Sequence, residues 1–325
     1  MKVTMKDVAK YAGVSLGSVS KVINKIHVKE ATREKVLKAI EELNYEIDEN
    51  ARALKTNRSH TVALILPSIW HPFFSEFAYH IEEYLSKNKY KLFLCNSDGD
   101  AEKENEYIQM VRQSKVDGII GITYSDIDRY VSSQLPFVTI DRHFSEEVTY
   151  VTSDNFHGGE IAAEELVKRQ CKKLAFVGAI SVYPTETQNR KHGFIHYCET
   201  NQIDFVKFTP LEPIDYLSGE LEDFLRENTE VDGIFAINDL VALQTIQIMT
   251  KLNKKVVEDY QIIGFDGIRK NNEFPYELST IAQPIEKMAE AAVQTLLALI
   301  TGNSFEQRTI LPVTFKPGKT TINNE

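Results

Sequence analysis

Cysteine, tryptophan and long apolar runs are what this 325-residue sequence has least of. Its three cysteines, Cys95, Cys171 and Cys198, are too few and too scattered for a disulfide framework or a metal-site spacing. Cys95, in KLFLCNS, reads as a buried strand residue. No run approaches the ~20 apolar residues that cross a bilayer. The polar first residues lead straight into a capped helix, so no signal peptide is expected. These absences point to a cytoplasmic protein without a membrane partner. No Walker-type phosphate loop, metal cluster or organised nucleophile is visible, so no cofactor and no catalytic residue is assigned.

Basic charge is also scarce, with a formal net charge of −10. Its distribution is uneven. Residues 1–60 hold twelve Lys/Arg and eight Asp/Glu, a net +4, and the remainder carries −14. A basic head on an acidic body suits phosphate attraction confined to one end. The head contains KDVAKYAGVSLGSVSKVIN, Lys6–Asn24. Thr4 and Asp7 make a capping pair for a first helix, Gly13 marks a turn, and Ser15 caps a second helix. Val19, Val22 and Ile23 face inward. Two short helices joined through glycine form the helix-turn-helix pattern, whose second helix enters a DNA major groove. A third helix is expected over Ala31–Leu43, with Val36, Leu37, Ile40 and Leu43 closing the core. Its cap is expected to be either missing, at Lys29, or supplied by Thr32 one turn late.

After residue 60 short apolar strands alternate with helical spacings, which indicates parallel sheets covered on both faces. Val62–Leu66, Lys91–Cys95, Gly118–Ile122 and Phe137–Ile140 read as strands, separated by helices over Phe73–Lys87 and Tyr107–Ser114. The rhythm then repeats to give a second α/β lobe and a cleft between the two. Ligands of such sheets bind beyond the carboxyl ends of the strands. Phe73 and Phe74 follow the first strand, Asp141 follows another, and Asn238 and Asp266 end two more. Arg190 lies in a helical segment. Carboxylates, an amide and a guanidinium around aromatic rings suit a polyhydroxyl ligand. Trp70 and Tyr216 are weaker candidates.

DVAKYAGVS followed by SVSKVIN resembles the amino-terminal signature of the lactose/galactose repressor family of bacterial transcription regulators. HPFF, LCNSDGDAEKENEYIQMVRQSKVDGII, IDR, SDNFHGG, RKHGF, IND, GFD and TIAQP follow in that family's order, so the resemblance covers nearly the whole chain. It implies a small all-α helix-turn-helix domain (1–46), a hinge helix and linker (47–60), and a two-lobed periplasmic-binding-protein-like domain (61–325). Lobe 1 is expected at about 61–157 and 281–307, and lobe 2 at about 158–280 and 308–325. Leu16 and Gly17 stand where family members place their main base-reading side chains. Leu16 suits a thymine methyl and Gly17 permits close approach. Ser15, Ser18, Ser20, Lys21 and Asn24 suit phosphates or occasional bases. YEIDENARAL, Tyr45–Leu54, resembles the hinge helix that wedges a leucine into the minor groove, with Arg52 and Leu54 as contacts. Ile47, Asp48 and Glu49 depart from that pattern. Arg190 matches the family arginine that grips ligand oxygens.

The implied function is a sugar-responsive repressor acting as a homodimer on a pseudo-palindromic operator. Its effector is a sugar or sugar phosphate, and closure of the cleft alters DNA affinity. One alternative is a catabolite-control regulator that takes a phosphorylated phosphocarrier protein as corepressor. Another is a carbohydrate enzyme with Asp141 and Asp266 as an acid–base pair, which lacks any accompanying machinery. Arg142 and Asp154 are open between contacting ligand and pairing across the lobes, and Gly158 and Gly159 are expected to allow a tight entry into the next helix.

Overall fold

The computed structural model describes residues 3–24, 26–45, 58–113, 115–131, 135–144, 148–212, 217–269 and 274–322. The hinge segment, with Ile47, Asp48, Glu49, Arg52 and Leu54, lies outside them, as does Tyr216. Two compact units divide at Ser59 and His60.

The first unit contains α1 (Met5–Ala12), α2 (Leu16–Ile23) and α3 (Glu30–Glu42). Thr4 and Asp7 form a reciprocal capping box, and Gly13 adopts φ 65° where α1 stops. A left-handed residue at that point favours glycine, which has no Cβ to clash. Val8, Ala9, Val19, Val36 and Ala39 form the buried centre, with Val22, Ile23, Ile40 and Leu43 packed around it. Leu37 is exposed, contrary to the expected core set. Positions 36, 39, 40 and 43 already complete one helical stripe, and residue 37 points about 100° away from it. As expected, Lys29 supplies no side-chain cap to α3.

The second unit carries two six-stranded sheets. The first is all parallel, in the order β11-β5-β4-β3-β1-β2. Its strands are β1 (Thr61–Leu66), β2 (Lys91–Asn96), β3 (Gly118–Gly121), β4 (Phe137–Ile140), β5 (Thr149–Ser153) and β11 (Arg308–Leu311). α4 (Pro72–Lys87) and α10 (Ile285–Thr301) cover one face, where Phe77, Ile81, Leu85, Ala292 and Leu296 meet Val62, Leu64 and Val138. α5 (Ala101–Arg112) sends Ile108 to the other face, against Ala63, Ile65 and Cys95. Burial on both faces explains the unbroken apolar run VALIL in β1.

The second sheet follows the order β12-β10-β9-β8-β6-β7. It comprises β6 (Lys173–Val177), β7 (Asp204–Phe208), β8 (Gly233–Ala236), β9 (Gln261–Asp266), β10 (Ser279–Ala282) and β12 (Thr314–Lys316), the last antiparallel to β10. α6 (Asn155–Lys168) and α7 (Asn189–Thr200) pack on one face through Leu166, Phe194 and Cys198. α8 (Leu217–Glu227) and α9 (Asp239–Lys251) pack on the other through Leu221, Leu225, Ala242 and Ile248.

The chain passes between lobes at Asp154, at Gln283–Pro284 and at Pro312–Val313. These differ from the expected crossings near 158, 280 and 308. Ile281 and Ala282 therefore belong to the second lobe, and Arg308–Leu311 to the first. The neighbouring strands β11 and β12 lie in different sheets although only two residues separate them. Pro312 has no N–H to offer a ladder, so pairing stops there. β5 was not anticipated, although VTYVTS alternates as a strand does. Among the described residues no helix is long and apolar enough to cross a membrane.

Candidate functional site

In the reader, Ser15 accepts the amide of Ser18 at 3.1 Å, and the two hydroxyls lie 2.9 Å apart. Each serine is thus partly committed to holding the start of α2. Asn24 donates through Nδ2 to the Ser20 carbonyl at 2.8 Å, which ties down the end of the helix. Leu16, Gly17 and Lys21 are exposed, and a Cβ placed on Gly17 would meet only Ser15 Oγ at 3.8 Å. The first turn of α2 therefore presents an apolar side chain beside a bare backbone, with a lysine one turn on.

The six residues expected to hold a ligand, Phe73, Phe74, Asp141, Arg190, Asn238 and Asp266, all line one cavity of about 270 Å³. Asp141 follows β4 of the first lobe, and Asp266 ends β9 of the second. Both have positive φ, 54° and 117°. Aspartate tolerates the left-handed region better than most residues, yet conformations of this kind persist where the surroundings over-determine them. Arg190, one residue inside α7, donates Nε to Asn155 Oδ1 at 2.7 Å and Nη1 to the Ile237 carbonyl at 2.8 Å. Its guanidinium lies 3.7 Å over the Phe265 ring and 3.4 Å from Asp266 Oδ1.

A chain of hydrogen bonds extends this cluster through the crossings. Thr152 donates to Asp141 Oδ1 at 2.6 Å, and Asn155 Nδ2 donates to Thr152 Oγ1 at 3.0 Å. Gln283 Nε2 donates to Asp266 Oδ1 at 2.8 Å, while Gln283 Oε1 accepts from Ser153 at 2.8 Å. The two carboxylates of opposite lobes are thereby held by residues of the connecting strands. Burial raises the pKa of Asp141 and brings that of Asp266 to about 6, and Arg190 opposes both shifts. Burial, reinforced by Arg190, lowers His71 to about 4, so its ring stays neutral at physiological pH. Burial also raises Tyr124.

Asn238 has two duties. Its Oδ1 accepts the Val241 amide at 2.8 Å and caps α9, which leaves Nδ2 to the cavity. Sequence reasoning missed His71, Tyr124 and Gln283 as lining residues. His71 and Gln283 sit inside HPFF and TIAQP, so the signal was present but was assigned only to neighbours. Asn155, behind Arg190, sits in SDNFHGG in the same way. Trp70 is not among the lining residues.

Arg142 and Asp154 are not among the residues that line the cavity. Arg142 donates to the Thr123 and Ser125 carbonyls at 3.1 and 2.6 Å and stacks near Phe144 and Tyr183. Asp154 caps α6 by accepting the His157 amide at 3.0 Å. Gly158 and Gly159 lie inside α6, which starts earlier, at Asn155. A Cβ on Gly159 would fall 2.0 Å from the Arg190 carbonyl oxygen, so the glycine serves the close approach of α6 and α7. Among the described residues no group of three His, Cys, Asp or Glu is placed to hold a metal.

Residues 4–47 match the lacI family of bacterial regulatory proteins, and residues 62–304 match a periplasmic binding protein domain. The ribose operon repressor of Halalkalibacterium halodurans is 35% identical, over 91% of this chain and 90% of that protein. The sucrose operon repressor of Streptococcus mutans is also 35% identical, over 98% of this chain and 99% of that one. Among solved structures, a periplasmic binding protein/LacI transcriptional regulator from Alkaliphilus metalliredigens, complexed with D-xylulofuranose, is 30% identical with a TM-score of 0.71. That match covers 81% of this chain and all of the other.

Proposed function

Since this chain belongs to the lacI family of bacterial regulatory proteins, we propose that it is a repressor released from its operator by an uncharged sugar. It is a DNA-binding transcriptional regulator and not an enzyme. One observation carries the ligand reading: Asp141 and Asp266 converge from opposite lobes on a cavity whose lining has one cationic side chain, Arg190. Carboxylates accept sugar hydroxyls, and a ligand gripped from both lobes favours their closed arrangement. A phosphate or carboxylate on the ligand would meet two buried acids, while Arg190 already gives Nε and Nη1 to protein partners. That balance favours a neutral sugar over a sugar phosphate. Relatives named for ribose and sucrose operons support the class.

A phosphorylated protein corepressor needs a basic face on the first lobe. The outward sides of α4 and α10 carry Glu82, Glu83, Glu286 and Glu290 against Lys87 and Lys287, a balance that disfavours it. Homodimerisation has a plausible surface at β2, the edge strand of its sheet, which exposes Phe93 and Leu94, and at α9, which exposes Leu240 and Leu243. Exposed apolar side chains on an edge strand otherwise invite uncontrolled pairing. Sugar and operator binding are coupled reciprocally, and both take place in the cytoplasm. The test is operator retention on the protein's own upstream DNA, at fixed salt, across neutral sugars and sugar phosphates. Release by a neutral sugar is expected; release by phosphorylated sugars alone would refute the charge argument.

Sugar affinity is also expected to depend on pH. Asp266, with Arg190 and Asp141 facing it, titrates near 6. Between its ordinary value of 3.8 and 6 the folded chain holds a proton that the unfolded chain releases. This group's contribution to stability therefore falls as pH rises through that window. Ligand binding runs the other way, because the ionised carboxylate is the better acceptor of hydroxyl protons. Calorimetry should show affinity about tenfold weaker at pH 5 than at pH 7.5, levelling off above. A flat profile across that range would remove Asp266 from the contact set.

A further inference from the structure

The one tryptophan of the chain, Trp70, is 93% exposed. It lies immediately before His71, the N-cap of α4, where an apolar side chain ordinarily folds back on the first turn as a staple. Trp70 does not. The residue it would cover, Ser75, turns its hydroxyl to the Ile69 carbonyl at 2.6 Å. The loop bearing Trp70 is itself pinned, by Ile69 N to Asn96 Oδ1 at 2.9 Å and by Trp70 N to Ser68 Oγ at 3.2 Å. A large indole is thus presented on a fixed backbone at the carboxyl end of β1, next to the cavity-lining His71.

The second lobe carries two further exposed apolar side chains beside the cavity lining. Val182 and Leu211 are 57% and 61% exposed, and they adjoin the cavity-lining Ser181 and Glu212. Their loops follow β6 and β7 and are joined, with Ile180 N donating to the Pro210 carbonyl at 2.9 Å and Glu212 N to the Ile180 carbonyl at 3.0 Å. Carboxylates and a guanidinium in the cavity sort hydroxyls, and Trp70, Val182 and Leu211, each exposed, are chain neighbours of the lining residues His71, Ser181 and Glu212. A sugar ring has both characters: hydroxyls at its edges and a C–H face that an aromatic ring covers well.

We infer that the mouth of the cleft is an outer subsite for a second sugar ring, so that the effector is a disaccharide or longer glycan with one ring in the polar cavity and the next against Trp70. The inference rests on the sugar-sensor reading and deepens it. The adjacency in the chain of all three apolar residues to residues that line the cavity favours a glycan over a second copy of the chain as the occupant.

The lone tryptophan makes the test direct. Full-length protein is titrated with ribose, glucose, fructose and galactose, and with sucrose, maltose, cellobiose and lactose, while calorimetry and tryptophan emission are read together. One disaccharide should bind about tenfold tighter than its component monosaccharides, the scale of one stacked aromatic contact, and should shift emission to the blue. Trp70→Ala should remove that advantage, and Trp70→Phe should restore part of it. A monosaccharide that binds as tightly as any disaccharide and leaves emission unmoved would overturn the subsite while sparing the sugar sensor. Emission that follows protein concentration alone would give the tryptophan to a second copy and overturn it equally. Binding of none of these sugars, nor of any other neutral sugar, would count against the sensor reading itself.

Discussion

Replacing Arg190 with alanine is expected to lower sugar affinity by at least about 100-fold and to leave operator affinity unchanged. The guanidinium is buried between the Phe265 ring and Asp266, with Asn155 and the Ile237 carbonyl as its acceptors. Its removal leaves the Asp266 carboxylate without a counter-charge and frees the Asn155 amide that helps to place Thr152 and Asp141. Hydrogen bonds made by a charged group to the ligand contribute about 1.5–3 kcal/mol each, and each 1.4 kcal/mol is about tenfold in affinity. The reader is a separate compact unit, so its fold does not depend on this pair. The phenotype is a repressor that stays on its operator at sugar concentrations that release the parent protein. Calorimetry with sugar and a gel-shift titration with operator measure the two halves. A variant that still leaves the operator at wild-type sugar levels would show that Arg190 does not grip the ligand.

The second large effect comes from a residue with no side chain. A Cβ on Gly193 of α7 would fall 1.8 Å from the Phe156 carbonyl oxygen, and one on Gly159 of α6 would fall 2.0 Å from that of Arg190. Each helix rests on the backbone of the other, and neither glycine is there for a left-handed conformation. Gly193→Ala must push the helices apart, which overpacking data place at about 3 kcal/mol when backbone has to move. For a unit of this size that lowers Tm by about 6–12 °C. Arg190 lies one turn from Gly193, so sugar affinity should fall with stability. Gly17→Ala is the control. The space around Gly17 is open, and alanine in a helix is favoured over glycine by about 0.5–1 kcal/mol, so the reader should melt slightly higher. A Gly193→Ala protein that melts with the parent would mean that α6 and α7 can separate freely.

How much of this was legible beforehand depends on the range over which each cause acts. Capping acts within four residues, and Thr4–Asp7 and Ser15 were readable as strings. Periodicity acts over one element and located β1 and α4 to within one residue. It misjudged Leu37 because two overlapping stripes were possible and only packing against α1 and α2 selects one. The six cavity residues were found through motif resemblance and position at strand ends. His71, Tyr124, Gln283 and Asn155 were not, because their contribution comes from partners far along the chain.

By itself the sequence determined that a basic helical reader precedes two strand–helix repeats, since composition and period are properties of contiguous residues. It also determined that polar groups end the strands facing a cleft. Only the tertiary structure decided that Asp141 and Asp266, 125 positions apart, share one cavity, that the crossings fall at Asp154, Gln283–Pro284 and Pro312–Val313, and that Gly159 and Gly193 interlock. Each of these depends on which strands are neighbours. Strand order is set by the burial of both sheet faces at once, a condition satisfied by the whole chain and by no segment of it.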